Sequence, residues 1–474
     1  MFGSCVSSRF AACLVVALGF APRPAIAAPA AAKQPHLVAF LSDDHSLLDC
    51  TVYGATHVRT PNMQQLANDG LTFTHAFVAS PSCAPSRAAL TTGLWPVHSG
   101  AEANHTNAPM DMKTLPKYLQ ELGYEVAVFG KVCHYGDAPG RGYDHVDERY
   151  GPKVVRAYLK SRDNSRPLCL LVGTHSPHVP WPDKHSYDNA AVPIDSTLVD
   201  TPATREFRNR YYEDVTTADR QLGETRSLAR EYLGDDILFL YTSDHGAQWP
   251  FGKWNLYDAG IRTPMIAAWP GVIEPGDTTD AMVSWLDILP TFIELAGGEI
   301  PAQFDGRSFA PVLRGQTDEH YDRIFTTHTG DGDWNVYPIR SVRTRGWKYI
   351  RNLHPEFAHT THIDQAAGKD GLRYWREWIA AAQTDPAARE LVDRYHRRPA
   401  EELYDLQADP REEHNLAADP AHAERLAELS AELDAWLQKN GDEGLVAGKP
   451  RPLDEPAAWA PGRGVGKRRP AATQ

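Results

Sequence analysis

Ile237-Leu-Phe-Leu-Tyr241-Thr-Ser243-Asp244-His245-Gly246 is a run of five apolar residues that breaks abruptly into side chains of catalytic type. Three other stretches have the same form. His36-Leu-Val-Ala-Phe-Leu41 runs into Ser42-Asp43-Asp44-His45, and Glu125-Val-Ala-Val-Phe129 into Gly130-Lys131 with His134 beyond. Leu168-Cys-Leu-Leu-Val172 runs into Gly173-Thr174-His175-Ser176-Pro177-His178. Short continuous apolar runs predict strands buried on both faces, as in a parallel sheet. Helical stretches such as Pro61–Asp69 and Thr114–Leu122 lie between them, the second closed by Gly123. In open α/β sheets, ligands gather beyond the carboxyl ends of the strands. Four such ends carrying Asp, Lys and His predict one polar rim.

Working outward, 474 residues suit one large α/β domain with an appendage. Lys+Arg is 48 against 61 Asp+Glu, a net charge of −13 that excludes general nucleic-acid coating. No apolar run after residue 30 is long enough to span a bilayer. Arg9, the apolar Ala11–Phe20 and Ala25-Ile26-Ala27 have the parts of a secretory signal over residues 1–27. The expected location is therefore secreted or periplasmic. Cys50, Cys83, Cys133 and Cys169 remain beyond that segment. With Cys83 reserved for chemistry, they allow at most one disulfide.

Past residue 320 the pattern changes. Arg323–Thr327, Ile339–Arg343 and Trp347–Arg351 alternate like antiparallel strands, with a turn at Arg345-Gly346. Pro420–Lys439 reads as an amphipathic helix with Leu426, Leu429, Leu433 and Leu437 on one face. The division predicted is a catalytic domain over 35–318, a C-terminal α+β subdomain over 319–440 and a disordered tail over 441–474.

The chemistry centres on Ser80-Pro-Ser-Cys83-Ala-Pro85-Ser86-Arg87-Ala-Ala-Leu-Thr-Thr-Gly93. Cys83 is expected where a loop enters a helix, with Pro85 in the first turn and Arg87 one turn on. Unpaired N–H groups and partial positive charge at such a start, with a fixed guanidinium, suit a tetrahedral oxyanion. A buried, inert cysteine is the structural alternative.

Cys-x-Pro-Ser-Arg followed by Leu-Thr-Thr-Gly resembles the signature of the formylglycine-dependent (type I) sulfatases. The family's other motifs follow in order: Asp43-Asp44, Gly130-Lys131-x-x-His134, Pro177-His178-x-Pro180, Ser243-Asp244-His245-Gly246, Gly252-Lys253-x-x-x-Tyr257 and Gly260-Ile-Arg262-x-Pro264. Trp347-Lys348-Tyr349 and Leu403-Tyr404-Asp405-Leu406 extend the likeness into the C-terminal part, over residues 35 to 418. The resemblance implies an alkaline-phosphatase-like α/β sandwich. A large mixed, mostly parallel sheet lies between helices in that fold, beside a smaller C-terminal α+β subdomain with an antiparallel sheet.

It implies too that Cys83 is oxidised to formylglycine (3-oxoalanine) by a formylglycine-generating enzyme before export, the hydrated aldehyde being the nucleophile. Asp43, Asp44, Asp244 and His245 would then hold one divalent cation with residue 83. Three carboxylates favour Ca²⁺, with Mg²⁺ the second choice, and imidazole is the uncommon ligand. By the same resemblance Arg87 and Lys131 steady the nucleophile, His134 is the base, and His178 and Lys253 bind sulfate and assist the leaving group. Two residues separate Lys131 from His134 where many members have one. The compact Ser243–Lys253 segment and His98-Ser-Gly-Ala-Glu-Ala-Asn104-His105 look most like the heparan N-sulfatase (sulfoglucosamine sulfohydrolase) branch. The implied substrate is a sulfated sugar or glycosaminoglycan, N-sulfoglucosamine ahead of O-sulfated sugars. Trp95, Trp181, Trp249 and Trp254 are candidates for a sugar-stacking wall or for packing. Rival readings are a broad arylsulfatase, a phosphatase or phosphodiesterase of the same superfold, and a non-catalytic sulfated-glycan-binding protein.

Overall fold

The four apolar runs form adjacent parallel strands. A computed structural model describes Met1, Gly3 and residues 34–134, 136–366 and 372–462. The expected export segment, Met1 and Gly3 apart, lies outside the described residues, as do positions 463–474 of the expected tail. Eight strands make the main sheet: β1 His36–Ser42, β2 Leu71–Phe77, β3 Glu125–Gly130, β4 His145–Asp147, β5 Leu168–Gly173, β6 Ile237–Ser243, β7 Met265–Ala268 and β8 Asp277–Ser284. Their order is β4-β3-β5-β1-β6-β7-β2-β8. Every pairing is parallel except those of β7, which runs against both β6 and β2.

Alternate residues of each central strand enter different cores, which is why the runs are continuously apolar. Leu37, Ala39 and Leu41 of β1 join one core with Leu238 and Leu240 of β6. Val38 and Phe40 join the other with Ile237, Phe239 and Tyr241. Helices cover both faces. Leu115 and Leu119 from Leu115–Glu121 and Phe292 from Ile288–Leu295 pack in the first core. Met63 and Leu66 from Pro61–Asn68 and Leu222 and Leu228 from Pro202–Leu233 pack in the second.

A four-stranded antiparallel sheet follows, of β9 Arg323–His328, β10 Ile339–Thr344, β11 Trp347–Asn352 and β12 Glu401–Asp405, in the order β12-β11-β10-β9. The helix Ala423–Asn440 lays Leu429, Leu433 and Trp436 onto Val342, Tyr349 and Leu403. Each fully buried leucine there contributes about 1.5–3 kcal/mol. Buried ion pairs tie this sheet to the main one. Arg343 (3.0 Å) and Lys348 (2.6 Å) both reach the Asp258 carboxylate, and Lys348 also reaches Glu412 at 2.7 Å.

Residues 441–462 differ from the disordered tail expected of them. Asp442 is bonded to buried Arg340 at 2.5 and 2.7 Å, Leu453 N–H donates to Glu356 O, and Gly462 N–H donates to Asp364 O. Their Pro, Gly and Ala content reflects an irregular strap held by backbone and ionic contacts rather than a lack of structure. Cys50, Cys83, Cys133 and Cys169 are all buried free thiols. Among the described residues no helix is long and apolar enough to cross a membrane.

Candidate active site

Cys83 is the first residue of the helix Cys83–Thr92. Ser82 before it is extended (φ −149°, ψ 152°), and Ser86 N–H closes the first turn onto Ser82 O at 3.1 Å. Gly93 ends the helix in the left-handed region at φ 68°, the usual glycine stop. Ser86 and Arg87, three and four residues on, share the face of Cys83. Ser86 Oγ donates to Asp244 O at 2.6 Å and Arg87 Nε to Asp244 Oδ2 at 3.0 Å, so this helix start is locked to the end of β6.

The residues beyond β1, β3 and β6 reach that thiol, and His175 and His178 beyond β5 approach Asp43 and Asp44, so the four strand ends share one rim. Asp44 has φ 66°, a conformation that aspartate tolerates better than most residues, and its N–H donates to Asp244 Oδ1 at 3.0 Å. Gly130 (φ 68°) and Gly173 are paired where the parallel strands β3 and β5 end, and their close approach excludes a side chain, because a Cβ on Gly130 would stand 2.0 Å from Gly173 O. Lys131, the first residue beyond β3, reaches Asp43 Oδ2 at 2.6 Å and Cys83 Sγ at 3.5 Å. Arg87 Nη2 lies 3.3 Å from Asp43 Oδ1, and Lys253 Nζ bonds both oxygens of Asp44 at 2.9 and 3.0 Å. Three buried carboxylates therefore face three fixed cations.

One ligand atom from each of Asp43, Asp44, Cys83, Asp244 and His245 lies within 4.8 Å of all the others, and all five residues are buried. His245 Nδ1 donates to Gly246 O at 3.0 Å, which leaves Nε2 facing Cys83 Sγ (3.4 Å), Asp44 Oδ1 (3.4 Å) and Asp244 Oδ2 (3.5 Å). An imidazole lone pair set against two carboxylates is repulsive without positive charge among them. The donor set, mostly carboxylate oxygen, thus fits a hard divalent cation. Such a cation raises the cluster from balanced to doubly positive, which suits an anionic group above it.

Burial alone would raise the Asp43 carboxyl, but Lys131, His178, Arg87 and Lys253 outweigh it and hold the group well below the ordinary range. Asp44 is lowered in the same way, chiefly by Lys253 and His178 acting against burial. Burial pushes the His134 imidazole down to about 3, helped by His105 and Lys131, so His134 is neutral at physiological pH. His178 Nδ1 donates to Val179 O at 2.6 Å, and its Nε2 faces Asp44 Oδ2 at 4.0 Å. His175, unassigned from sequence, is also at the rim, its Nδ1 3.9 Å from Asp43 Oδ2.

The aromatic candidates are packing. Trp181 and Trp249 are buried and stacked on each other at 4.9 Å, Trp254 is 1% exposed, and Trp95 stands edge-on to Trp436. Sequence reasoning missed Asp331, on the loop after β9, which accepts from Asn104 Nδ2 at 3.0 Å and Trp254 Nε1 at 2.7 Å. Asn104 Oδ1 in turn accepts from Ala84 N–H at 3.0 Å, the amide beside Cys83. Proximity in sequence hinted at Asn104, but nothing marked a carboxylate more than two hundred residues away.

The chain matches the Sulfatase family over residues 35–298 and the N-sulphoglucosamine sulphohydrolase C-terminal family over residues 245–363. It is 34% identical over 435 residues to an ulvan-active sulfatase of Formosa agariphila, covering 87% of this chain and 82% of that one. It is 27% identical to human N-sulphoglucosamine sulphohydrolase, covering 88% and 92%. A crystal structure of a putative sulfatase from Bacteroides thetaiotaomicron has the same fold, with a TM-score of 0.69 at 22% identity over 91% of this chain and 97% of that one.

Proposed function

The chain belongs to the sulfatase family of sulfuric ester hydrolases, and on that footing we propose that it is an exported enzyme removing sulfate from sulfated sugars. Cleavage of either O-sulfate esters or sulfamates fits the chemistry, with N-sulfoglucosamine the first substrate to try. The observation that carries this reading is the buried cluster of Asp43, Asp44, Asp244 and His245 closed around Cys83 at a helix start. The likeness to human N-sulphoglucosamine sulphohydrolase and to an ulvan-active sulfatase supports a sugar substrate.

Residue 83 acts as formylglycine, oxidised from cysteine by a formylglycine-generating enzyme before export to the periplasm or medium. The hydrated aldehyde supplies a nucleophilic hydroxyl and a second hydroxyl through which sulfate is later expelled, which a thiol lacks. Asp43, Asp44, Asp244 and His245 would hold Ca²⁺, or Mg²⁺ in its place. When bound, that cation would supply positive charge against the sulfate oxygens and lower the cost of ionising a hydroxyl. Arg87 and Lys131, already within reach of Asp43 and Asp244, hold the geometry around residue 83. His178 and Lys253 bind the sulfate from the opposite side and protonate the departing oxygen or nitrogen. His134, neutral in this setting, takes the proton from the second hydroxyl.

The test is the mass of the peptide 71–93 from active enzyme, which should be lighter than encoded by about 18 Da, the difference between a thiol and an aldehyde side chain. Sulfate release from N-sulfoglucosamine and O-sulfated sugars is measured alongside hydrolysis of phosphate esters. An unmodified thiol in active enzyme overturns the nucleophile, and faster turnover of phosphate esters overturns the sulfatase reading.

A further inference from the structure

Asp331 is 1% exposed, and besides Asn104 and Trp254 it meets two imidazoles. His105 Nε2 lies 3.1 Å from Oδ1, and His362 Nε2 lies 3.5 Å from Oδ2. His105 Nδ1 is 2.9 Å from His134 Nε2. The loop that delivers the carboxylate is built for the purpose. Gly330 has φ 152°, a Cβ there would stand 2.7 Å from Asn335 O, and its carbonyl accepts from Asn104 N–H at 2.9 Å. His105 itself has φ 64°.

Donor and acceptor roles along this chain are determined from its buried end. Burial opposes ionisation of Asp331, yet the adjacent His105 and His362 imidazoles outweigh it and keep the carboxyl well below the ordinary range. An ionised carboxylate only accepts, so the proton of His105 sits on Nε2. With a single ring proton, placed on Nε2, the Nδ1 of His105 is an acceptor, and His134 then presents Nε2–H to it. The lone pair of His134 is left on Nδ1.

We propose that Asp331 and His105 are positioning residues that hold His134 in its Nε2–H tautomer and make Nδ1 its basic atom. The catalytic consequence rests on reading His134 as the base; the tautomer does not. The arrangement uses the logic of a carboxylate–histidine pair, in which the orienting acid selects the imidazole tautomer without touching substrate. Here it runs through one further imidazole. It also explains why a loop of the C-terminal sheet penetrates to the site.

The tautomer can be read without turnover. In the full-length protein labelled with ¹⁵N-histidine, at pH 8, long-range ¹H–¹⁵N spectra report which ring nitrogen carries hydrogen, with His134 assigned by its loss in His134→Gln. The expected result is a protonated Nε2 and a bare Nδ1. In Asp331→Asn and His105→Ala the His134 signals should move toward an average of both tautomers. His105 is 53% exposed, so its replacement supplies the test even if Asp331→Asn does not fold. In the active enzyme, kcat of His105→Ala should fall about 10²-fold, the low end of what a positioned base contributes, with KM nearly unchanged. His105→Asn tolerates the backbone conformation and retains an acceptor near Nδ1, and should recover most of the loss. A Nδ1-protonated His134 in the parent protein, or an unchanged tautomer in His105→Ala, overturns the proposal. Absence of sulfate release by the parent overturns the sulfatase reading instead and leaves the tautomer result standing.

Discussion

Replacing Lys253 by methionine removes one charge from a buried cluster while keeping most of the side-chain volume. Its Nζ sits 2.9 and 3.0 Å from the two oxygens of Asp44, with the side chains 2% and 0% exposed. At an effective dielectric constant near 20, unit charges about 3 Å apart attract by about 5 kcal/mol. Relief of the ammonium's desolvation returns part of that, so the expected cost is about 3–5 kcal/mol, as for other buried pairs stripped of one partner. The assay is urea unfolding of EDTA-treated protein followed by tryptophan fluorescence. Asp44→Asn in the same background removes the charge left unpaired. The double variant should therefore be about 2 kcal/mol less destabilised than the sum of the two single variants. Calcium should restore part of the Lys253→Met loss, since a cation at Asp44 replaces the missing charge. A cost below about 1 kcal/mol, or strict additivity, would refute the electrostatic account of the site.

Three further outcomes are expected. Cys83→Ala should abolish sulfate release while leaving the unfolding midpoint within about 1 kcal/mol of the parent, because the lost Sγ is a small part of the packing; substantial residual turnover would contradict a nucleophile at residue 83. Asp258→Ala strands Arg343 (2% exposed) and leaves Lys348 (0% exposed) with Glu412 alone, and should cost about 3–5 kcal/mol in urea unfolding, with the second sheet loosening first by hydrogen exchange. Burial pushes His328 down to about 4, so the unfolded chain takes up that proton first as pH falls from near 6.5. Its contribution to stability is thus lost progressively between those two values, and His328→Gln should flatten that part of a midpoint-against-pH profile; an unchanged slope would rule His328 out as its source.

Much of the site was legible because its residues follow strands. A parallel strand buried on both faces has no polar residues until it leaves the sheet, so Asp43, Lys131, His178 and Asp244 stand out against apolar runs. Cys83 and Arg87 were legible for a different reason, since helix periodicity puts positions four apart on one face. The four indole side chains were ambiguous by nature. A tryptophan's sequence context does not say whether its face meets solvent or another ring, and stacking of Trp181 on Trp249 is a contact across sixty-eight positions. The strap 441–462 misled for a related reason: its composition lacks periodicity, while its order comes from partners such as Arg340 and Glu356 supplied by distant segments.

By itself the sequence determined where the four central strands lie, where each ends and which chemical groups those ends carry, because these follow from local hydrophobic patterning and backbone geometry. Only the tertiary structure decided how charges are matched: Lys131 with Asp43, Lys253 with Asp44, and Asp331 with the imidazoles leading to His134. Those pairings depend on distances of a few ångströms between residues that can be more than two hundred positions apart, and Coulomb attraction and hydrogen bonding act through space rather than along the chain.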